Sequence, residues 1–188
     1  MKTVVIDNFD SFTYNLVRYI QIVSHKKPTV YRNNNFELKD LEKFDIIILS
    51  PGPGLPNEAG KMMAVLQKYA STKKILGVCL GHQAIAEYFG CSLIQLEEVK
   101  HGVASPLTIL NENGLFKNIE NKTLVGRYHS WVVSNQNLSK SIEITATTND
   151  HTIMALKHCS LPIYGVQFHP ESILTVEGRE IINNFYKI

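Results

Sequence analysis

The sequence predicts an α/β fold: a central, mostly parallel β-sheet covered by helices, with a small additional antiparallel sheet. Three observations predict it. Several short runs are apolar throughout, as in strands buried on both faces. Stretches with apolar residues three and four apart lie between those runs. A middle segment, from about Ser92 to Thr148, is instead rich in β-branched residues and turn signals.

The elements can be read in order along the chain. Val4–Ile6 reads as the first strand. After it Phe12, Leu16, Tyr19, Ile20 and Val23 mark one face of a helix, with Asp10 or Ser11 available as N-cap. Ile46–Leu49 reads as another strand, and Ala59, Met63, Leu66 and Ala70 mark a second helix. Ile75–Val78 is a third buried run. The middle segment, with Asn113–Gly114 as one turn signal, reads as extra, partly antiparallel strands. Tyr164–Phe168 closes the set of strands, and Ile181, Ile182, Phe185 and Ile188 mark a C-terminal helix. No repeat, low-complexity tract or linker interrupts residues 1–188, so one domain is expected.

Composition narrows the function classes. With 44% apolar and 19% charged residues, the chain can form a globular core and is not a disordered segment. A net charge of +2, with no basic stripe, argues against nucleic acid as a partner. No apolar run approaches the ~20 residues needed to cross a bilayer, and MKTVVIDNFD brings in acid and amide side chains too early for a secretory signal. Cys79, Cys91 and Cys159 form an odd set without metal-ligand spacing. Free thiols in a reducing, cytoplasmic setting are therefore expected, one reactive and two packed as small buried hydrophobes.

The residues just after each apolar run are more informative. DNFDSF comes after Ile6, SPGPG after Leu49, Cys79 in GVCLGHQ after Val78, and HPES after Phe168. Ligands of open parallel sheets bind at the carboxyl ends of the strands. Four distant segments thus bring polar and glycine-rich residues to one sheet edge.

GVCLG has the form of a nucleophile elbow, a small-residue turn from strand to helix. Gly77 and Gly81 permit close approach, and Cys79 is expected to stand exposed at a helix N-terminus, where the dipole favours the thiolate. HPE supplies a partner: residues two apart on an extended segment point to one side, so Glu171 can orient His169 towards Cys79. Pro170, lacking an N–H, helps end the strand. In SPGPG, Gly52 and Gly54 bare the backbone, and a glycine N–H there can join that of Leu80 as an oxyanion hole. The same loop fails as a phosphate loop, because five residues separate Gly54 from Gly60–Lys61 and Met62 replaces Ser or Thr. It fails as a dinucleotide fingerprint because Asn57 stands at the third glycine. His82 is expected to pack locally and His129 to line the pocket. His25, His101, His151 and His158 show no metal-binding pattern.

GVCLGHQ, a distant FHPES and an upstream SPGPG together resemble the class I (triad-type) glutamine amidotransferase family. VIDNFDSFTYNL, RYHSW and GVQFHPESILT resemble one branch of it, the glutaminase subunits of anthranilate synthase and aminodeoxychorismate synthase. The resemblance covers essentially the whole chain. It implies a class I glutamine amidotransferase-like (flavodoxin-like) three-layer fold. It makes Cys79 the nucleophile, His169 the acid/base and Glu171 its orienting acid. By the same resemblance Gly52, Pro53 and Gly54 border the glutamine, Gln83 contacts it, and Ser130 and Trp131 present backbone groups to it. A γ-glutamyl thioester, released ammonia and glutamate are implied, with no metal or other cofactor on this chain. Chorismate and magnesium would belong to a partner synthase. Two residues depart from the pattern: Val103 in HGVAS, where lysine is frequent, and Trp131, where leucine is commoner.

With only Pro170 to Ile188 after His169, a separate acceptor chain is expected and not a fused synthase. Anthranilate synthase component I is the first reading of that partner. Aminodeoxychorismate synthase component I is the alternative, and one subunit could serve both. Two other classes are a non-catalytic binding subunit, which the presence of Cys79, His169 and Glu171 disfavours, and a stand-alone cysteine hydrolase.

Overall fold

The computed structural model describes residues 1–188. The buried runs become strands because each alternates its side chains between two cores. β1 (Thr3–Asp7), β3 (Ile46–Leu49) and β4 (Lys74–Val78) send Val4, Ile6, Ile47, Leu49 and Ile75 to one face. They send Val5, Ile46, Ile48, Leu76 and Val78 to the other. β2 (Thr29–Arg32) pairs parallel to β1 at one edge, and β9 (Ile163–Val166) pairs parallel to β4. The first face is covered by α2 (Met62–Tyr69) and α3 (Leu80–Tyr88), the second by α1 (Thr13–Ser24) and α4 (Gly178–Lys187). The result is three layers, as a sheet buried on both faces requires.

The expected antiparallel part comprises β5 (Leu93–Ile109), β6 (Leu124–Val133) and β7 (Ile142–Thr148), and β8 (Ile153–His158), beyond the segment read as strands from the sequence, extends it. It joins the parallel part edge to edge through the antiparallel β8–β9 pair. One nine-stranded sheet results, in the order β2-β1-β3-β4-β9-β8-β7-β5-β6. Although β6 is an edge strand, its residues Tyr128 to Trp131 lie near the end of β4, where Gln83 of α3 donates to Trp131 O and both segments line one cavity with Cys79.

Several local expectations are corrected. α1 begins at Thr13 with Phe12 in the cap position and no side-chain cap. Asp10 instead holds the turn before it, accepting the Phe12 N–H at 2.7 Å. The buried stripe of α2 is Met62, Val65, Leu66 and Tyr69, with Ala59 outside the helix. Ile188 is exposed. β9 ends at Val166, so Gln167 to Pro170 lie beyond the strand and Pro170 does not end it. Cys91 is buried as expected, but Cys159 is exposed.

Two glycines carry the strand-to-helix turn after β4. A Cβ on Gly77 would lie 2.3 Å from the Gly81 carbonyl oxygen, and one on Gly81 would lie 2.4 Å from that of Leu49. Both obstacles are backbone and cannot swing aside. Gly81→Ala is therefore expected to destabilise the fold by about 1–3 kcal/mol, the usual cost of overpacking. Thermal unfolding of the purified variant checks it; an unchanged Tm would show that the turn yields freely.

Candidate active site

Cys79 is the joint between β4 and α3. Its φ of 52° and ψ of −101° lie where non-glycine residues are rarely found, a conformation costing on the order of 1–3 kcal/mol. Flanking bonds hold it: its N–H donates to Val166 O at 2.8 Å, and its carbonyl accepts the Gln83 N–H at 3.1 Å. The residue is 5% exposed, so the thiol lies on the floor of a cleft and does not stand exposed as the sequence predicts.

His169 and Glu171 come together in a turn, not on an extended segment. The Ser172 N–H closes that turn on His169 O at 3.1 Å. His169 Nδ1 and Glu171 Oε1 are 2.8 Å apart, and both side chains are buried. Further bonds fix the turn in space. The His169 N–H donates to Gly126 O at 3.0 Å, tying it to β6. Thr175 Oγ1 donates to His169 O at 2.6 Å and accepts the Gly126 N–H at 3.0 Å. The Phe12 and Tyr128 rings meet the imidazole edge-on at 5.4 and 5.0 Å.

The other ring nitrogen, Nε2, is buried and makes no completed hydrogen bond. Burial opposes charge on this ring. The Cys79 sulfur and the Glu171 carboxylate beside it outweigh burial, and the imidazole is raised to about 11. An imidazolium beside a sulfur is the pairing that generates a thiolate nucleophile.

Gly52, Pro53, Gly54, Cys79, Gln83, Tyr128, His129, Ser130 and Trp131 line a single cleft of about 160 Å³. The residues named from the sequence as glutamine neighbours thus share one cavity with Cys79. Leu80 is the first residue of α3, and neither its N–H nor that of Gly54 donates to any group of the chain. Gln83 Nε2 donates to Trp131 O at 2.8 Å and reaches Gln167 Oε1 at 3.2 Å, pinning α3 to β6. Opposite Ser130 the β5–β6 register jumps from Gln95↔Trp131 to Lys100↔His129, which leaves Ser130 without a ladder partner. A bulge re-aims a strand in this way. Val103, also beside a register shift, is exposed opposite Arg127 and outside the cleft.

Sequence reasoning missed three residues. Gln167 donates from Nε2 to Cys79 Sγ at 3.6 Å; a lone amide inside the apolar run GVQF was its signal. Tyr128 and Phe12 wrap His169, and nothing in their spacing shows it. His82 packs as expected, wholly buried against Gly165, and burial lowers its pKa to about 4. His129 lines the cleft; burial, then the charges of Arg127 and its histidine neighbours, lower it to about 3. Both are neutral near pH 7. A larger depression, about 280 Å³, lies at the opposite sheet edge between Lys2, Thr29 and Phe44. It contains no thiol, imidazole or carboxylate. No helix is long and apolar enough to cross a membrane.

Comparison with known proteins sets these features in context. The family model described as Glutamine amidotransferase class-I matches residues 4–188. Anthranilate synthase component 2 of Pseudomonas aeruginosa is 42% identical, the match covering 97% of this chain and 94% of that protein. Aminodeoxychorismate synthase component 2 of Escherichia coli is also 42% identical, over 96% of this chain and 97% of that one. At the same identity the whole chain spans about a third (32%) of the bifunctional protein TrpGD of Thermotoga maritima. A crystal structure described as a putative GMP synthase subunit from Thermoplasma acidophilum superposes with a TM-score of 0.88. It is 25% identical, and the match covers 100% of this chain and 92% of that one.

Proposed function

The chain belongs to the class-I glutamine amidotransferases, and on that premise we propose that it hydrolyses glutamine and delivers the ammonia to anthranilate synthase component I. The observation that carries the chemistry is the buried His169–Glu171 pair, 2.8 Å apart, with His169 beside Cys79, whose thiol lines a glycine-walled cleft. The glutamine carboxamide lies over Cys79, bordered by Gly52, Pro53, Gly54 and Gln83, with its α-amino acid end at the backbone of Ser130 and Trp131. The sulfur attacks the carboxamide carbon, and the oxygen takes up negative charge between the N–H groups of Gly54 and Leu80. The His169 imidazolium protonates the departing nitrogen, so ammonia leaves and a γ-glutamyl thioester remains. Neutral His169 then takes a proton from water, whose oxygen attacks the thioester. Glutamate leaves and the thiolate–imidazolium pair is restored. Glu171 holds the ring throughout.

No cofactor is needed on this chain; chorismate and magnesium belong to the synthase. Relatives carrying anthranilate and aminodeoxychorismate synthase names resemble the chain equally. Aminodeoxychorismate synthase component I is therefore the second partner to test, and one subunit could serve both.

The tip of the SPGPG loop suggests how the partner acts. Pro53 and Gly54 are exposed, and Gly54 has a φ of +74°. A synthase docking over this edge can select the arrangement in which the Gly54 N–H faces the cleft. One backbone donor is worth about 10²-fold in turnover. The isolated chain is accordingly expected to hydrolyse glutamine slowly and to accelerate by about that factor when titrated with the synthase and chorismate. Full turnover of the chain alone, unchanged by saturating partner, would instead favour a stand-alone hydrolase.

A further inference from the structure

The SPGPG loop is free at its tip but tied at its root, and one buried side chain does most of the tying. Asn8, 2% exposed, comes from the loop after β1. Its N–H donates to Ser50 Oγ at 2.9 Å, and its Nδ2 donates to Ser50 O at 2.8 Å. Nδ2 also lies 3.3 Å from the Met62 sulfur, and Oδ1 accepts from Asn33 Nδ2 at 3.0 Å. Ser50 Oγ in turn donates to Pro51 O at 2.7 Å. Asn33 is itself anchored, its N–H on Asp7 O and its carbonyl accepting the Lys61 N–H, each at 2.9 Å.

Gly52 rests directly on this group. A Cβ there would lie 2.5 Å from Asn8 Cβ and 2.7 Å from Asn8 O. Beyond it the next tether is the Leu55 N–H on Glu58 Oε2 at 3.0 Å. Between the two anchors only Pro53 and Gly54 are loose, so the root sets the direction from which the Gly54 peptide leaves. Asn8, Asn33 and Ser50 do not line the cleft, and all three are uncharged. They can act on the reaction only by placing the loop.

We propose that Asn8, together with Ser50 and Asn33, is a positioning unit that orients the Gly54 N–H towards the developing oxyanion. The inference rests on the proposed glutaminase reading, with Gly54 as a donor. It requires a carboxamide at position 8, since Oδ1 must accept while Nδ2 donates. An aspartate has the same shape but would set a carboxylate oxygen against Ser50 O. The loop root is then pushed away, while Cys79, His169 and Glu171, held by other bonds, stay in place.

The test uses the complex with the synthase and compares Asn8→Asp, Ser50→Ala and the double variant with wild type. Losing an oxyanion donor outright costs about 10²–10³-fold, so mispositioning it in Asn8→Asp is expected to lower glutaminase kcat by ~10- to 100-fold. KM should stay nearly unchanged. Alkylation of Cys79 by iodoacetamide, followed on its own peptide by mass spectrometry, should keep the wild-type rate because that reaction forms no oxyanion. The double variant should be no worse than Asn8→Asp, as for residues acting as one unit. Ser50→Ala, which keeps the Asn8 side-chain bonds, should show a smaller fall in kcat and guards against a misfolded Asn8→Asp. Wild-type kcat in every variant that folds would overturn the proposal. So would parallel losses of kcat and alkylation, which mark collapse of the whole site. Absence of glutaminase activity in the wild-type complex would instead sink the functional reading itself, and this inference with it.

Discussion

Cys79→Ser is expected to abolish glutamine-dependent synthesis by the assembled complex while leaving synthesis from added ammonium salts intact. The sulfur is the one thiol lining the cleft, and it lies beside His169. A hydroxyl in its place fits the same space but ionises far less readily, so the imidazolium no longer has a thiolate to pair with. Removing the nucleophile of such a unit typically costs about 10⁴-fold or more in turnover. On the proposed reading the acceptor chemistry takes place on a synthase chain, and dissolved ammonia bypasses the cleft altogether. Paired assays with glutamine and with ammonium salts check this. Loss of both activities in a complex that still assembles would show that the division of labour is wrong.

His169→Ala ranks second. Thioester formation should fall by about 10²–10⁴-fold, the usual worth of positioned acid–base help, as measured by single-turnover ammonia release. The geometry separates this variant from Glu171→Gln. Glu171 reaches only Nδ1, and an amide oxygen at the same place can still accept that N–H. The carboxylate's charge is lost, however, and with it one of the interactions that raise the imidazole. Glu171→Gln should therefore be milder and should lower the pKa of His169. Wild-type rates for His169→Ala would move the base elsewhere. His82 would be the next residue to test, although its complete burial and lowered pKa argue against it.

Much of the fold was legible because burial on two faces leaves a plain mark. Ile46–Leu49 reads as a doubly buried strand and is one, residue for residue. The helix faces are less legible where capping chemistry and packing disagree, as at Phe12 and around Met62. Propensity and local pattern are weak guides to boundaries once tertiary contacts compete with them. Chemistry-bearing residues were legible for a different reason. A cysteine between glycines, or a histidine two residues from a glutamate, is conspicuous wherever the chain puts it.

The sequence by itself determined the parallel core, the edge where its loops gather, and the residue types offered there. Tertiary structure alone decided how those residues meet. Cys79 lies buried, not exposed, because β6 and the loop after β9 close over it. The His169–Glu171 pair forms in a turn pinned by Gly126, more than forty residues earlier in the chain, and by Thr175, which bonds both His169 and Gly126. Gln167 reaches the sulfur from 88 residues away in sequence, and Asn8 grips the SPGPG root across 42. Periodicity records only whether a side chain faces the core or water. Which distant side chain it meets depends on register, on the β5 bulge and on the path of each loop, and these are set when the layers pack together.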